Sequence, residues 1–454
     1  MLKKTAEISA VFRKMIHSVA FKIKHKIKES DFTREVKLTF AIMMGLMIKK
    51  SSKSSQNSLN DMLLNGDVDY TVTNSAYTQA RAKLNYTAFV EMSQKTVELF
   101  YEDGEYNRYK KFRLLAVDGS IVILPNTDDV KKEFNPTPVG CQIEGFQKDV
   151  VQSRVSVLYD VINNLAIDAS INNKINSDDN DLIAYDERTL SLQHLDYCNK
   201  DDLVVFDRGY PSYELFVKYN QKTNFLVRLK KTSFAKAKSL FAPHCEKKDV
   251  VLEITAPKKI KDELKKQNLS TKMKVRFVQV ILANGTVEVL ATNILDSNVL
   301  QTSDFMELYA MRWGVETYFD VLKNRLSLEN FTGLTALAVK QDFYATIFLT
   351  NYEAILVYDT NLELQEKVSD NKYAQQVNKA QSFNAIKHKA FDIFYSNKSL
   401  AKQMRELEKL FAINPVPIRP DRKTKPRLDK DAQKSTITTN TINHIKRKKK
   451  NVGN

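Results

Sequence analysis

Cysteine is scarce in this sequence. Cys141, Cys198 and Cys245 are the only three in 454 residues, they lie far apart, and none forms a CxxC pair. This excludes a disulfide framework and a cysteine-rich structural zinc site, and it suits a reducing cytoplasm. His244 beside Cys245 has no second ligand pair nearby and reads as an ordinary residue. Long apolar runs are missing as well. The longest candidate, residues 38–48, is about half of the roughly 20 residues that a bilayer crossing needs, so it reads as a buried helix. The basic N-terminus leads into no apolar run with a small-residue cleavage site, and no secretory signal is expected. Internal repeats and sizeable low-complexity tracts are also lacking.

Acids are outnumbered: 70 Lys and Arg face 54 Asp and Glu, a formal charge of +16. Such a balance favours a polyanionic partner, nucleic acid before membrane, because lysine and arginine contacts to phosphates release condensed counterions. The excess is concentrated at the C-terminus, where residues 419–450 hold 12 Lys or Arg against 3 Asp and almost nothing apolar. That stretch cannot build a core; it reads as a disordered basic arm or a plain solvated tail.

Residues 1–105 read as mainly helical. Within them, residues 58–64 and 74–84 form two short helical patterns around Asn65-Gly66-Asp67, compatible with a helix-turn-helix offering Gln79, Arg81 and Lys83 to DNA, or with a small bundle. At residues 113–125 a nearly continuous apolar run is interrupted by Asp118-Gly119, which is the pattern of a buried strand whose acid demands a reason. Strand-like runs follow at 154–161 and 165–171, separated by Asn163-Asn164 in a hairpin turn, then a polar helical stretch at about 178–195. Residues 202–210 give a further short strand ending in Asp207-Arg208-Gly209-Tyr210, with a helix at 211–218 and a fifth strand at 225–229. The order β-β-β-α-β-α-β is that of an RNase H-like domain, in which acids on the first and fourth strands lie side by side. Residues 231–300 are β-rich and break the scheme, with Asn284-Gly285 predicting a two-residue hairpin turn. Beyond them, residues 336–358 and 380–411 read as buried helices, and Asn351 and Glu353 argue against a membrane span.

The stretch 309–323 contains no Pro and one Gly, and apolar residues recur from Leu308 to Leu326 at steps of three and four, so it reads as one long amphipathic helix. At about 100° per residue, Tyr309, Arg312, Glu316 and Lys323 share one stripe roughly 60° wide. A carboxylate among an arginine, a lysine and a phenol suits a phosphodiester site: the acid takes a hard divalent cation and the cations take phosphate oxygens. The same spacing is compatible with a solvated face of ion pairs. Asp320 also reaches the stripe, so spacing alone does not choose between it and Glu316. Trp313, the single tryptophan, lies on the flank and reads either as a stacking platform for a base or as packing.

With these residues in place, the chain resembles a DDE transposase of insertion sequence family four over about residues 32–343. Tyr309, Arg312, Glu316 and Lys323 match that family's Tyr-x2-Arg-x3-Glu-x6-Lys signature, and the Asp118-Gly-Ser and Asp207-Arg-Gly-Tyr segments resemble its other acid motifs. The resemblance implies an α/β, RNase H-like mixed-sheet core with an inserted β-rich subdomain and helical flanks. It divides the chain into a DNA-end-binding region (1–105), the core in two parts (106–230 and 301–412) around the insertion (231–300), and a tail (413–454). It further implies Asp118, Asp207 and Glu316 as ligands of two Mg²⁺ ions, with Mn²⁺ as substitute and Glu316 preferred over Asp320. Tyr309, Arg312, Trp313, Lys323, Arg208 and Tyr210 become DNA contacts. The implied activity is cleavage at the terminal inverted repeats followed by strand transfer, with a hairpin at the ends as one route, by a homodimer acting in a bacterial cytoplasm at the nucleoid. A nuclease that cuts without joining and a DNA-binding protein that has lost catalysis are the alternatives.

Overall fold

The computed structural model describes residues 2–34, 36–50, 53–134, 151–171, 187–366 and 372–419. Cys141, residues 178–186 of the polar stretch and the basic tail beyond residue 419 lie outside them. The N-terminal part is helical: α1 (Leu2–His17), α2 (Val19–His25), α3 (Phe40–Ile48), α4 (Ser55–Leu64), α5 (Asn74–Arg81) and α6 (Thr87–Tyr101). Four of these starts are written locally. Ser18, Thr39, Ser54 and Thr73 each accept a hydrogen bond from the N–H three residues ahead, satisfying one of the donors that a first turn leaves free. Every residue of α3 is buried, as its unbroken apolar composition predicts.

The sheet begins with β1 (Arg113–Ile123), followed by α7 (Asp128–Phe134), β2 (Gln152–Asp160) and β3 (Leu165–Ile171). Then come α8 (Glu187–Gln193), β4 (Asp202–Phe206), α9 (Tyr213–Lys222) and β5 (Asn224–Arg228). In space the order is β3-β2-β1-β4-β5, with β2 antiparallel to both neighbours and β1, β4 and β5 parallel. This is the RNase H-like arrangement. The hairpin at Asn163-Asn164 forms as a four-residue loop: Asp160 Oδ1 accepts the Ile162 and Asn163 amides, and Asn164 takes a left-handed conformation.

The inserted residues are β-rich, with β6 (Asp249–Thr255), α10 (Lys258–Lys266), β7 (Lys272–Ile281) and β8 (Val287–Thr292). Their strands extend the same sheet instead of standing apart. β8 pairs antiparallel with β5, and the eight-stranded order ends β5-β8-β7-β6. The excursion closes where Leu229 N–H donates to Val289 O at 2.9 Å. Its β7–β8 turn is not the two-residue Asn-Gly type. Leu282 N–H donates to Thr286 O, which leaves residues 283–285 in the loop with Gly285 at φ +80°, a three-residue loop ending in a left-handed glycine.

After the sheet come α11 (Asp304–Met311), α12 (Trp313–Asp320), a π-helical turn (Val321–Arg325), α13 (Ala336–Glu366), α14 (Lys379–Phe394) and α15 (Leu400–Ala412). The expected long helix is therefore broken at Arg312 and underwound after Asp320. α13 runs buried beneath β3 and α6, and its polar residues are bonded: Asn351 bridges both backbone groups of Ala166, and Glu353 accepts from the Ser382 hydroxyl. No described helix is long and apolar enough to cross a membrane. α1 packs on α14 and α15 at the other end of the chain, where the Arg13 guanidinium donates to the carbonyls of Asp392, Ile393 and Lys398.

Candidate active site

Strand register brings the two aspartates together. At the start of the β1–β4 pair, Arg113 and Asp202 stand opposite each other and form a buried two-pronged ion pair, both N–O distances 2.7 Å. At the far end Val117 pairs with Phe206, so the next residues of the parallel strands, Asp118 and Asp207, emerge side by side. Both are half-buried. Gly119 N–H donates to Asp118 Oδ1 at 2.9 Å, yet burial pushes the Asp118 carboxyl up to about 6. Arg312 opposes that rise, while the negative charges of Glu316 and Glu187 add to it.

The signature residues of α11 and α12 face these strand ends. Tyr309 donates its hydroxyl to Asp207 Oδ1 at 3.1 Å. Arg312 is only 4% exposed, donates to Glu316 Oε1 at 2.6 Å, and lies over the rings of Tyr309 and Trp313. Burial works against its charge, but Tyr309, Glu316 and Asp207 hold its pKa above the ordinary value. Trp313 is 59% exposed, so its indole is not core packing. The π-helical turn carries Lys323 to β1, where its ammonium donates to Ile121 O at 2.6 Å; burial lowers its pKa, and Glu329 opposes the fall. Asp320 instead bonds Asn324 along its own helix. Tyr309, Arg312 and Glu316 thus stand toward the aspartate-bearing strand ends, and Lys323 meets β1 at Ile121.

One expected contact is relocated, and one of the alternatives for the N-terminal helices is decided against for Arg81. Tyr210 is 1% exposed, with an unpartnered buried hydroxyl. Its pKa is raised by burial and then by Asp118 and Glu187, so it floors the acids and offers no ring to a surface. Arg81, which a helix-turn-helix would offer to DNA and a small bundle would not, is buried. It binds Asp342 at 2.7 Å, the Gln341 side chain, Thr332 and the Ala338 carbonyl. It ties α5 to α13, while Gln79 and Lys83 remain exposed. Arg208 is exposed beside Asp207.

One neighbour escaped sequence reasoning. Glu187, the first residue of α8, lies against Gly119 and Gly209 and pairs with Arg154 of β2. Arg188 fixes the same loop by donating to Gly209 O at 3.1 Å. Nothing in the sequence around residue 187 marks it, because its meaning comes from the glycines and the arginine that the fold packs against it. Half-buried carboxylate oxygens are the donor chemistry that suits a hard divalent cation. Among the described residues no three such groups close on one ion position, so the acids stand as an open set.

Residues 109–352 match the model of the transposase DDE domain family, more than half of the chain. No curated protein matches it. Among solved structures, the chain is similar to a piggyBac transposase synaptic complex with hairpin DNA seen by cryo-EM, with 11% identity and a TM-score of 0.45, covering 92% of this chain and 88% of that one. On the extent of the first of these matches, the chain belongs to the transposase DDE domain family.

Proposed function

We propose that the protein is the transposase of an insertion sequence of family four, cutting DNA at its element's terminal inverted repeats and joining the freed ends to a target. The observation that carries this reading is the convergence of Asp118 and Asp207, from adjacent parallel strands, with the Arg312–Glu316 pair on the helix facing them. Asp118, Asp207 and Glu316 are assigned as holders of Mg²⁺, or Mn²⁺ in its place. When bound, the metal would supply Lewis acidity at a phosphoryl oxygen and a lowered pKa for the attacking hydroxyl.

The remaining roles belong to the chain's own groups. Tyr309 orients Asp207 through its hydroxyl, and Arg312 orients Glu316 through Oε1 while its fork stays desolvated. Lys323 and Arg208 contact backbone phosphates on either side of the acids. The exposed Trp313 indole stacks on an unpaired base, an interaction worth roughly 1–3 kcal/mol per base and indifferent to sequence. A homodimer pairs the two ends.

The test is incubation of the full-length protein with Mg²⁺ and duplexes carrying the sequences that flank its gene, comparing wild type with Glu316→Ala. Boundary cleavage and joining, lost in the variant while duplex binding persists, are the expected result. Cleavage without joining would reduce the protein to a nuclease, and binding without any cleavage would withdraw the catalytic assignment.

A further inference from the structure

A basic cleft of about 250 Å³ opens where the C-terminal ends of β4 and β5 meet the start of β8. Its lining includes four cations, Arg208, Arg228, Lys230 and Lys231, against a single carboxylate, Glu288. That carboxylate is already committed, pairing with Arg228 at 3.0 Å while 7% exposed. Among the described residues no carboxylate pairs with the side chains of Arg208, Lys230 or Lys231. Three cations thus line the cavity with no ion-pair partner among the described residues, an arrangement that stabilises a bound anion. Phe241 gives the cleft one apolar wall.

Its position supplies the context. Arg208 directly follows Asp207 in the chain. The Arg228 guanidinium lies 5.8 Å from the centre of the Tyr309 ring, and that tyrosine donates to Asp207. The cleft therefore borders Asp207 on the β5 side of the sheet, while Lys323 meets β1 at Ile121 on the other side.

We infer that this cleft is a phosphodiester subsite, holding one or two backbone phosphates of a DNA strand beside Asp207 through Arg208, Lys230 and Lys231. The inference rests on the transposase reading. The strand has two sources, the element's own flank or the target duplex, and they differ in which reaction step needs the cleft.

The test compares wild type with Lys230→Gln/Lys231→Gln, with Lys230→Arg/Lys231→Arg, and with a control losing two exposed lysines of α10, Lys258→Gln/Lys259→Gln. Duplex affinity is followed by fluorescence anisotropy over a salt series, alongside end cleavage and joining. In the Gln pair at the cleft, the slope of log affinity against log salt should fall by about 1–2, while the Arg pair should keep the wild-type slope. If the strand is target DNA, end cleavage stays at the wild-type rate and joining needs more target; if it is the flank, cleavage itself slows. A Gln pair with wild-type slope and rates, or a control that loses as much as the cleft does, overturns the subsite. Wild type that binds no duplex at all would defeat the transposase reading first, and so the two failures can be told apart.

Discussion

Asp118 carries a cost of the site that can be measured without any DNA. Its carboxyl is pushed up to about 6, chiefly by burial, so the folded chain holds that proton more tightly than the unfolded chain does. Stability must then fall as pH rises from the ordinary carboxylate range to about 6, and stay level above it. Asp118→Asn removes the penalty. It should stabilise the metal-free protein by roughly 1–2 kcal/mol at pH 8, allowing for screening at a half-buried group, with the gain fading near pH 4. Urea titrations at both pH values check this; an equal gain at both, or a loss at pH 8, would mean that burial is not what lifts this group. The acid was legible in the sequence because it interrupts an apolar run, where an aspartate needs a reason. Tyr210 was not. Its motif places it beside Asp207, but only the packing turns its ring inward beneath the acids.

Elements hold these residues in place through long-range polar contacts. The two helices read around Asn65-Gly66 exist as α4 and α5, and their caps are visible in the sequence as Ser54 and Thr73. The partner of Arg81 is not visible, because Asp342 lies 261 positions away on α13. A buried charge that loses its partner costs about 3–5 kcal/mol. Arg81→Ala should therefore destabilise the protein by about that amount, whereas exposed Lys83→Ala should stay within about 0.5 kcal/mol. Denaturant midpoints of the two variants decide whether this helix serves the fold or the DNA: similar small losses, with weakened DNA binding only in Arg81→Ala, would restore the base-contact role. The signature helix repeats the lesson. The spacing of Tyr309, Arg312 and Glu316 is readable in the sequence, but the break at Arg312 and the π-helical turn that delivers Lys323 to Ile121 O are not, since a constant rotation per residue carries no sign of either.

At the scale of the whole molecule, the N-terminal helices are not a separable unit. α1 is held by Arg13 to the carbonyls around α14, and the Ser9 hydroxyl meets that of Tyr352 in α13 at 2.6 Å. A fragment of residues 1–105 should accordingly be unfolded by circular dichroism and rapidly digested, and a chain starting at residue 19 should melt well below the full-length protein. A fragment with a cooperative melt of its own would show the opposite. Composition and strand order made the RNase H-like core legible early. That the inserted strands would prolong its sheet was not, because edge pairing between β5 and β8 leaves no periodic trace in either strand. The way that excursion is anchored, with β8 paired along β5 up to the Leu229–Val289 hydrogen bond, has an evolutionary meaning. β8 is held along β5 and Arg276 of β7 lies over Phe305 of α11, so these strands are fixed, but α10 and the loops at the outer edge can lengthen, shrink or be exchanged without shifting the helix that bears Glu316. A lineage could in this way change which DNA it grips while leaving the chemistry of its acids untouched.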